Sequence, residues 1–447
     1  MEDTICAIST APGIGAISVI RLSGKDAISI VSKLFHGKKL TNVKSHTINY
    51  GFIYDKNEKI DEVLVSIMKA PKTYTKEDIV EINTHGGISV TNKILELLLE
   101  NGCRLSLPGE FTKRAFMNGR IDLVEAESIQ DLINAKTDAQ RGLAINNMGG
   151  NLTKKIHEIR KIIVDIIANI EVNIDYPEYE DIEVVTKENL LPKLENIKEK
   201  INELLKDARN GKIINEGINV AIVGKPNVGK SSLLNKFLDE DKAIVTDIPG
   251  TTRDIVEGSI NLSGFLINFI DTAGIRNTSD VVEKIGVEKS LHTINFADLV
   301  IVVLNNNESI SNYELELIES IPKEKRVLFV NKSDLENNLK LDEEYVLGST
   351  LTNDGIDKLK DYLLKKLDLD GVINKDMTYL SNVRQIDLVK KSLESIVNAI
   401  ESINNGTPID ILEIDINNAW NYLGEITGEV YKDELLDTLF SNFCLGK

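Results

Sequence analysis

Isoleucine recurs at Ile156, Ile159, Ile163, Ile166, Ile167, Ile170 and Ile174, steps of three and four that put one apolar face along a long helix. Tyr176-Pro177 closes that helix, because proline has no N–H to extend the ladder. A second stripe follows at Leu190, Leu194, Ile197, Ile201 and Leu204. Both stripes are too apolar to face water, so they predict partner helices. From Ile218 to about Leu369 the period changes. Short Val/Ile-rich runs (Asn219–Val223, Leu266–Ile270, Leu299–Leu304, Val327–Val330) alternate with helical spacing. Continuous apolar strands with helical crossovers predict a parallel sheet covered on both faces. The first stretch is mixed α+β. Two apolar runs flank the turn Ala11-Pro12-Gly13-Ile14-Gly15, Glu62–Met68 and Asp78–Asn83 alternate as half-buried strands do, and Thr91–Leu99 has helical spacing. Turn signals stand at Asn101-Gly102 and Pro108-Gly109. After Asp370 the helical texture returns at Leu388, Leu393, Ile396, Val397, Ile400 and Ile403. The order is mixed, helical, α/β, helical, and the economical reading inserts the α/β unit into one helical domain. The boundaries expected are 1–118, 119–214, 215–371 and 372–447.

The length of 447 residues agrees, at about 150 residues per domain, with about three domains. With 52 Lys plus Arg against 70 Asp plus Glu the net charge is −18, so the chain should stay soluble and repel bulk nucleic acid and anionic lipid. No basic run exceeds two residues, which restricts any nucleic-acid contact to a local folded patch. Three scattered cysteines (Cys6, Cys103, Cys444) supply neither a disulfide framework nor a zinc cluster. The start Met1-Glu2-Asp3 lacks the basic residues of a secretory signal, and no apolar run approaches the ~18 residues of a membrane span. The expectation is a cytoplasmic protein with no membrane contact.

The candidate chemistry begins where strand Asn219–Val223 runs into Gly224-Lys225-Pro226-Asn227-Val228-Gly229-Lys230-Ser231-Ser232, followed by Leu233, Leu234 and Phe237 at helical spacing. Glycines at these positions let backbone N–H groups wrap phosphates, and the helix N-terminus adds positive potential. Lys230 would reach the outer phosphates, and the Ser231 hydroxyl would hold Mg2+. Three further segments follow in order. Gly250-Thr251-Thr252-Arg253-Asp254 supplies in Thr252 a second hydroxyl for the metal and a sensor of the γ-phosphate. Asp271-Thr272-Ala273-Gly274 follows a strand, so Asp271 can reach the metal through water and the Gly274 N–H can meet the γ-phosphate. Asn331-Lys332-Ser333-Asp334 follows another, and the Asp334 carboxylate can accept from both guanine N1–H and the 2-amino group, a pair adenine lacks. Ser349-Thr350-Leu351 is the candidate for a further base-side segment. Together these favour a GTPase over an ATPase.

One absence matters. Ras-like GTPases place a glutamine after the Asp-x-x-Gly segment to orient water, whereas this chain has Ile275 there. Hydrolysis must draw a water-positioning group and compensating charge from elsewhere, and Arg253, Arg276 and Glu283 are the polar candidates nearby.

These motifs, the Asp3-Thr4-Ile5 to Gly24 segment and the closing Phe443-Cys444-Leu445-Gly446-Lys447 together resemble the MnmE (TrmE) family of tRNA-modification GTPases over the whole length. The resemblance implies a multidomain α/β protein. Its parts are an N-terminal α+β domain similar to tetrahydrofolate-binding aminomethyltransferases, a helical domain, and an inserted Ras-like P-loop domain. It implies work with the flavoprotein MnmG (GidA), as a heterotetramer or larger, to place an aminomethyl or carboxymethylaminomethyl group on carbon 5 of a tRNA wobble uridine. A folate such as 5-formyltetrahydrofolate is the implied one-carbon source, and a homodimer the implied assembly.

Carried over to this sequence, the nucleotide lies against Asn227, Val228, Gly229, Lys230, Ser231 and Ser232. The loop Thr246-Asp247-Ile248-Pro249-Gly250-Thr251-Thr252 covers it, and Asp271, Thr272, Ala273 and Gly274 with Asn331, Lys332 and Asp334 complete the site. Asn227 matches a potassium ligand whose shell is completed at Thr246, Ile248 and Thr251, and that ion would replace an arginine finger. Glu283 matches the water-positioning glutamate, and Arg276 a switch arginine. Arg21, Glu81, Arg120 and Lys447 match folate contacts, and Cys444 the family cysteine beside the folate. Ile14 departs from the pattern, standing where many members have an arginine. Two rival classes fit less well. A GTP-dependent ribosome-assembly switch would usually append a basic RNA-binding domain, and these flanks are acidic. A free-standing folate aminomethyltransferase would not retain every phosphate- and base-reading group.

Overall fold

The computed structural model describes residues 3–175, 186–206, 208–240, 256–270, 294, 296–367, 378–431 and 433–447. They form two compact units, one of residues 1–130 with 417–447 and one of 131–416.

The first unit is built on a seven-stranded sheet. Its strands are β1 (Ile5–Ile8), β2 (Ile17–Ser23), β3 (Phe35–Gly37), β4 (Thr47–Asp55), β5 (Glu58–Met68), β6 (Ile79–His85) and β7 (Arg104–Leu105), in the order β3-β4-β5-β6-β2-β1-β7. Only the β1–β7 pair is parallel. Two-residue periodicity sets the faces. On β5, Val63, Val65 and Ile67 are buried while Glu62 and Leu64 are exposed. Helices Ala27–Leu34 and Ile88–Glu100 join these strand residues in one core with Ile20, Leu22, Ile53 and Ile82. Residues 417–447, helical like the stretch before them, supply helix Asp433–Ser441. Its Leu436 and Phe440, with Phe443, pack on Phe116 and Leu123.

In the second unit the isoleucine stripe forms helix Asn151–Asp175, with Ile156, Ile159, Ile163, Ile166, Ile167 and Ile170 buried. Tyr176-Pro177 lies outside the described residues. The second stripe forms helix Lys187–Lys206, whose buried face is Leu190, Leu194, Ile197, Ile201 and Leu204. This helix packs along Val383–Asn404, so helices from before and after the α/β region meet. Between them stand β8 (Ile218–Val223), β9 (Val256–Leu262), β10 (Phe265–Ile270), β11 (Leu299–Asn305), β12 (Arg326–Asn331) and β13 (Val346–Leu347). They form a six-stranded sheet in the order β13-β12-β11-β8-β10-β9. All neighbours are parallel except the β9–β10 hairpin. β11 and β12 are buried along their whole length, as strands covered on both faces must be. The order places β8 and β11 side by side at the centre, and the segments leaving their C-terminal ends build the site below.

Candidate functional site

The loop Gly224–Gly229 leaves β8 and enters helix Lys230–Glu240, the strand–loop–helix context that phosphate binding requires. Gly229 has φ +104°, and a Cβ there would run into Asn331 Nδ2, so glycine is needed both for conformation and for space. Asn227 also takes a left-handed conformation, φ +64°. The Lys230 ammonium curls back over the loop, donating to the carbonyls of Gly224 (2.8 Å) and Lys225 (2.7 Å). Burial pushes the Lys230 pKa down. Ser231 lies in the first turn of the helix, beside this ammonium in sequence.

The base side is joined to the loop by hydrogen bonds. Asn331, at the end of β12, donates from Nδ2 to Val228 O (2.8 Å) and accepts at Oδ1 from Thr350 N (2.9 Å). Ser349 Oγ donates to Asp334 Oδ1, and the N–H groups of Leu351 and Thr352 donate to Ser349 Oγ at 3.2 and 3.4 Å. Lys332 has φ +66°, which turns the chain so that Ser333 N meets Gly348 O at 3.0 Å. Asn227, Val228, Gly229, Lys230, Ser231, Asn331, Lys332, Asp334 and Ser349-Thr350-Leu351 therefore gather at one end of one sheet. Thr246 to Arg253, Asp271 to Gly274, Ile275, Arg276 and Glu283 lie outside the described residues.

A second cluster stands in the first unit. Antiparallel pairing of β2 and β6 sets Arg21 opposite Glu81, and Arg21 Nε donates to Glu81 Oε1 at 2.8 Å. Arg21 Nη1 also donates to Gly446 O (3.4 Å). Its guanidinium lies 5.8 Å from the ring centroids of both Tyr74 and Phe111, and Arg120 lies 4.9 Å from that of Tyr74. Burial raises the Tyr74 pKa against the opposing pull of Arg21 and Arg120. The segment Phe443–Lys447 is laced to the sheet unit. Gly109 N donates to Cys444 O (3.3 Å), Ser9 Oγ to Gly446 O (3.1 Å) and Phe111 N to Lys447 O (3.2 Å). Gly446 takes φ +83°, and a Cβ there would stand 2.7 Å from Ile8 O. Burial and then the charge of Arg21 lower the Lys447 pKa. Arg21, Glu81, Arg120 and Lys447 thus converge, and Cys444 is an exposed free thiol on the same segment.

These donors suit a ligand with a hydrogen-bonding ring and carboxylates, since arginine and lysine pair with carboxylates and Glu81 accepts from ring N–H groups. The hydroxyl of Ser231 and the amide oxygen of Asn227 are hard oxygen donors of the kind that bind Mg2+ or K+. Sequence reasoning missed Tyr74 and Phe111, the rings under the arginines, and Lys225 with Glu314 beside the phosphate loop. The capping pattern Ser311-x-x-Glu314 was the one legible signal among them.

Two family models match the chain, "GTP-binding protein TrmE N-terminus" over residues 4–120 and "MnmE helical domain" over residues 123–444. The tRNA modification GTPase MnmE of Ligilactobacillus salivarius is 51% identical over 456 residues, covering 100% of this chain and 98% of that protein. The protein of the same name from Streptococcus thermophilus is 51% identical over 449 residues, covering 100% and 98%. Among solved structures, the G domain of the T. maritima FeoB iron transporter is 30% identical over 34% of this chain and 98% of that chain, with a TM-score of 0.26. A point variant of Aquifex aeolicus Era bound to GDP.AlF4- is 28% identical over 40% and 66%, also with a TM-score of 0.26.

Proposed function

Because the chain belongs to the MnmE family of tRNA modification GTPases, we propose that it couples GTP hydrolysis in the second unit to folate-dependent chemistry in the first. It is a GTPase of tRNA modification. The observation that carries the nucleotide site is the hydrogen bond from Asn331 to Val228 O, which joins the phosphate loop to the base-reading segment. GTP would lie with its phosphates along Asn227 to Ser232 and its guanine on Asp334. The segment Thr246 to Thr252 and Asp271 to Gly274 would close the γ-phosphate side. Mg2+ is assigned to Ser231 and Thr252. K+ is assigned to Asn227, Thr246, Ile248 and Thr251, where it would supply the charge that an arginine supplies elsewhere. Ile275 cannot hold water, and Glu283 is given that role, with Arg276 beside it.

In the first unit, Arg21, Glu81, Arg120 and Lys447 would hold a tetrahydrofolate such as 5-formyltetrahydrofolate, with Cys444 near it. Arg21 and Arg120 stand over Tyr74, and Glu81 and Lys447 stand by Arg21, which supports the reading. When bound, the folate supplies a one-carbon unit, and this chain's residues hold it and shield it from water. The product would be an aminomethyl or carboxymethylaminomethyl group at carbon 5 of a wobble uridine, made by a cytoplasmic homodimer acting with MnmG. Among the described residues no helix is long and apolar enough to cross a membrane.

GTP turnover in K+ and in Na+ buffer tests the metal assignment. Turnover should be several-fold faster in K+. Asn227→Ala should erase that difference while keeping GTP binding within about threefold, a change under ~1 kcal/mol. Stimulation that survives Asn227→Ala would remove potassium from this site.

A further inference from the structure

We infer that Glu314 is a positioning residue of the phosphate loop, acting through Lys225. Lys225 is the second residue of the loop, and its ammonium stands 2.8 Å from Glu314 Oε2. The Glu314 side chain is 5% exposed and that of Lys225 26%. Glu314 lies in the first turn of helix Asn312–Ser320, and the same Oε2 accepts from Ser311 N (2.9 Å) and Ser311 Oγ (2.7 Å). One carboxylate oxygen therefore serves both the start of this helix and the loop that leaves β8.

A capping box needs only an acceptor at its third helical position, and glutamine serves as well as glutamate. A buried negative charge needs more, because a carboxylate taken out of water is costly unless an opposite charge meets it. Burial would raise the Glu314 pKa, but Lys225 and the Ser311 donors reverse this and leave it lowered. Lys225 is thus the opposite charge that this buried carboxylate meets, beside the neutral donors of the cap.

Its consequence runs through the backbone. The carbonyls of Gly224 and Lys225 are the two acceptors of the Lys230 ammonium. Fixing Lys225 fixes those carbonyls, and they fix where Lys230 stands. Near its other end the loop is held by Asn331 on Val228 O. Two tethers, from the segments after β11 and at the end of β12, thus hold the loop at both ends.

This inference rests on the reading that GTP phosphates lie on this loop. The loop touches phosphates alike in the ground and transition states, so loosening it should weaken binding more than turnover. The test uses the full chain with Glu314→Gln, which keeps the capping acceptor and removes the charge. The KM for GTP and the Kd for labelled GDP should rise about tenfold, with kcat within about twofold and the melting temperature nearly unchanged. Lys225→Met should give the same rise, Lys225→Arg should restore near wild-type affinity, and the Glu314→Gln/Lys225→Met pair should be no worse than either single change. An unchanged KM in Glu314→Gln, a loss confined to kcat, or losses that add in the double variant would each overturn it. If the wild-type chain itself retains no guanine nucleotide, the underlying phosphate-site reading falls, a result separable from the variant's behaviour.

Discussion

Guanine presents two adjacent N–H donors, and a carboxylate is the side chain that accepts from both without offering a donor of its own. Asp334 already accepts one hydrogen bond from Ser349, which aims the carboxylate and leaves its other oxygen open to a base. Replacing Asp334 by Asn keeps the shape and exchanges one acceptor for a donor. That change suits xanthine, whose 2-oxo group accepts where guanine donates. The expected outcome is a loss of GTP affinity of at least about a hundredfold with a gain for xanthosine triphosphate, read by competition against labelled GDP. Retained preference for GTP would move base recognition away from this residue. At the same scale, Gly229→Ala should cost nearly all nucleotide binding, because the new methyl displaces Asn331 and the backbone must hold φ +104° with a Cβ present. The strand–loop–helix around Gly224–Gly229 was legible in sequence because its parts are contiguous and its glycines are dictated by local conformation. Glu314 was not, since its meaning depends on a lysine 89 positions away that only the β8–β11 pairing brings near. Tyr74 gave no signal, since a ring under two guanidinium groups reads in sequence as one more apolar residue.

Among the elements, periodicity located every strand that the patterns singled out, with ends shifted by one or two residues except at β5, which begins at Glu58 and not Glu62. Asn219–Val223 became Ile218–Val223, and Val327–Val330 became Arg326–Asn331. Periodicity fixes which face a residue takes but not which residue it meets across the sheet. Arg21 faces Glu81 only because β2 and β6 align Ile17 with His85 and Ser23 with Ile79. A further tie between elements is an ion network that joins β7 and helix Glu110–Met117 to the start of β1. Arg104 reaches Asp3 and Glu110, and the buried Arg114 reaches Asp3, Glu77 and Glu110. Burial would raise the Glu110 pKa, but Arg104, the Leu107 N–H and Arg114 reverse this and leave it lowered. Asp3 is lowered in the same way by Arg104 and Arg114 against burial. A carboxyl whose folded pKa lies below its unfolded value stabilises fully above the unfolded pKa, and that stability is lost as pH falls through the folded one. Melting of the first unit should therefore hold steady down to about pH 5 and fall steeply below about pH 4, the ordinary carboxylate range. Arg104→Met should lower the plateau and flatten the fall. A slope identical to wild type, by calorimetry across that range, would remove the network from acid stability.

For the molecule as a whole, a charge of −18 argued against diffuse nucleic-acid binding, and the family nevertheless works on tRNA. Charge sum is thus a poor guide where recognition is local. The chain's texture grouped 417–447 with the helices before it, while its apolar residues complete the unit of 1–130. No pattern within 417–447 could reveal this, because Phe440 and Phe443 read as one more amphipathic turn and their partner Phe116 lies far earlier in the chain. The same segment ends in carbonyls that accept from Gly109, Phe111, Ser9 and Arg21, so it is a strap held down beside Arg21. Ending the chain at Asn442 removes the buried Phe443, about 1.5–3 kcal/mol of apolar burial, together with the strap and Lys447. The phosphate loop and Asp334 lie wholly within 131–416. The shortened chain should then bind 5-formyltetrahydrofolate more than about tenfold more weakly by titration calorimetry, a loss above ~1.4 kcal/mol, while its KM for GTP stays within about twofold. Equal folate affinity in the shortened chain would detach the strap from the ligand site. A parallel collapse of GTP binding would instead make the segment a support for the entire fold.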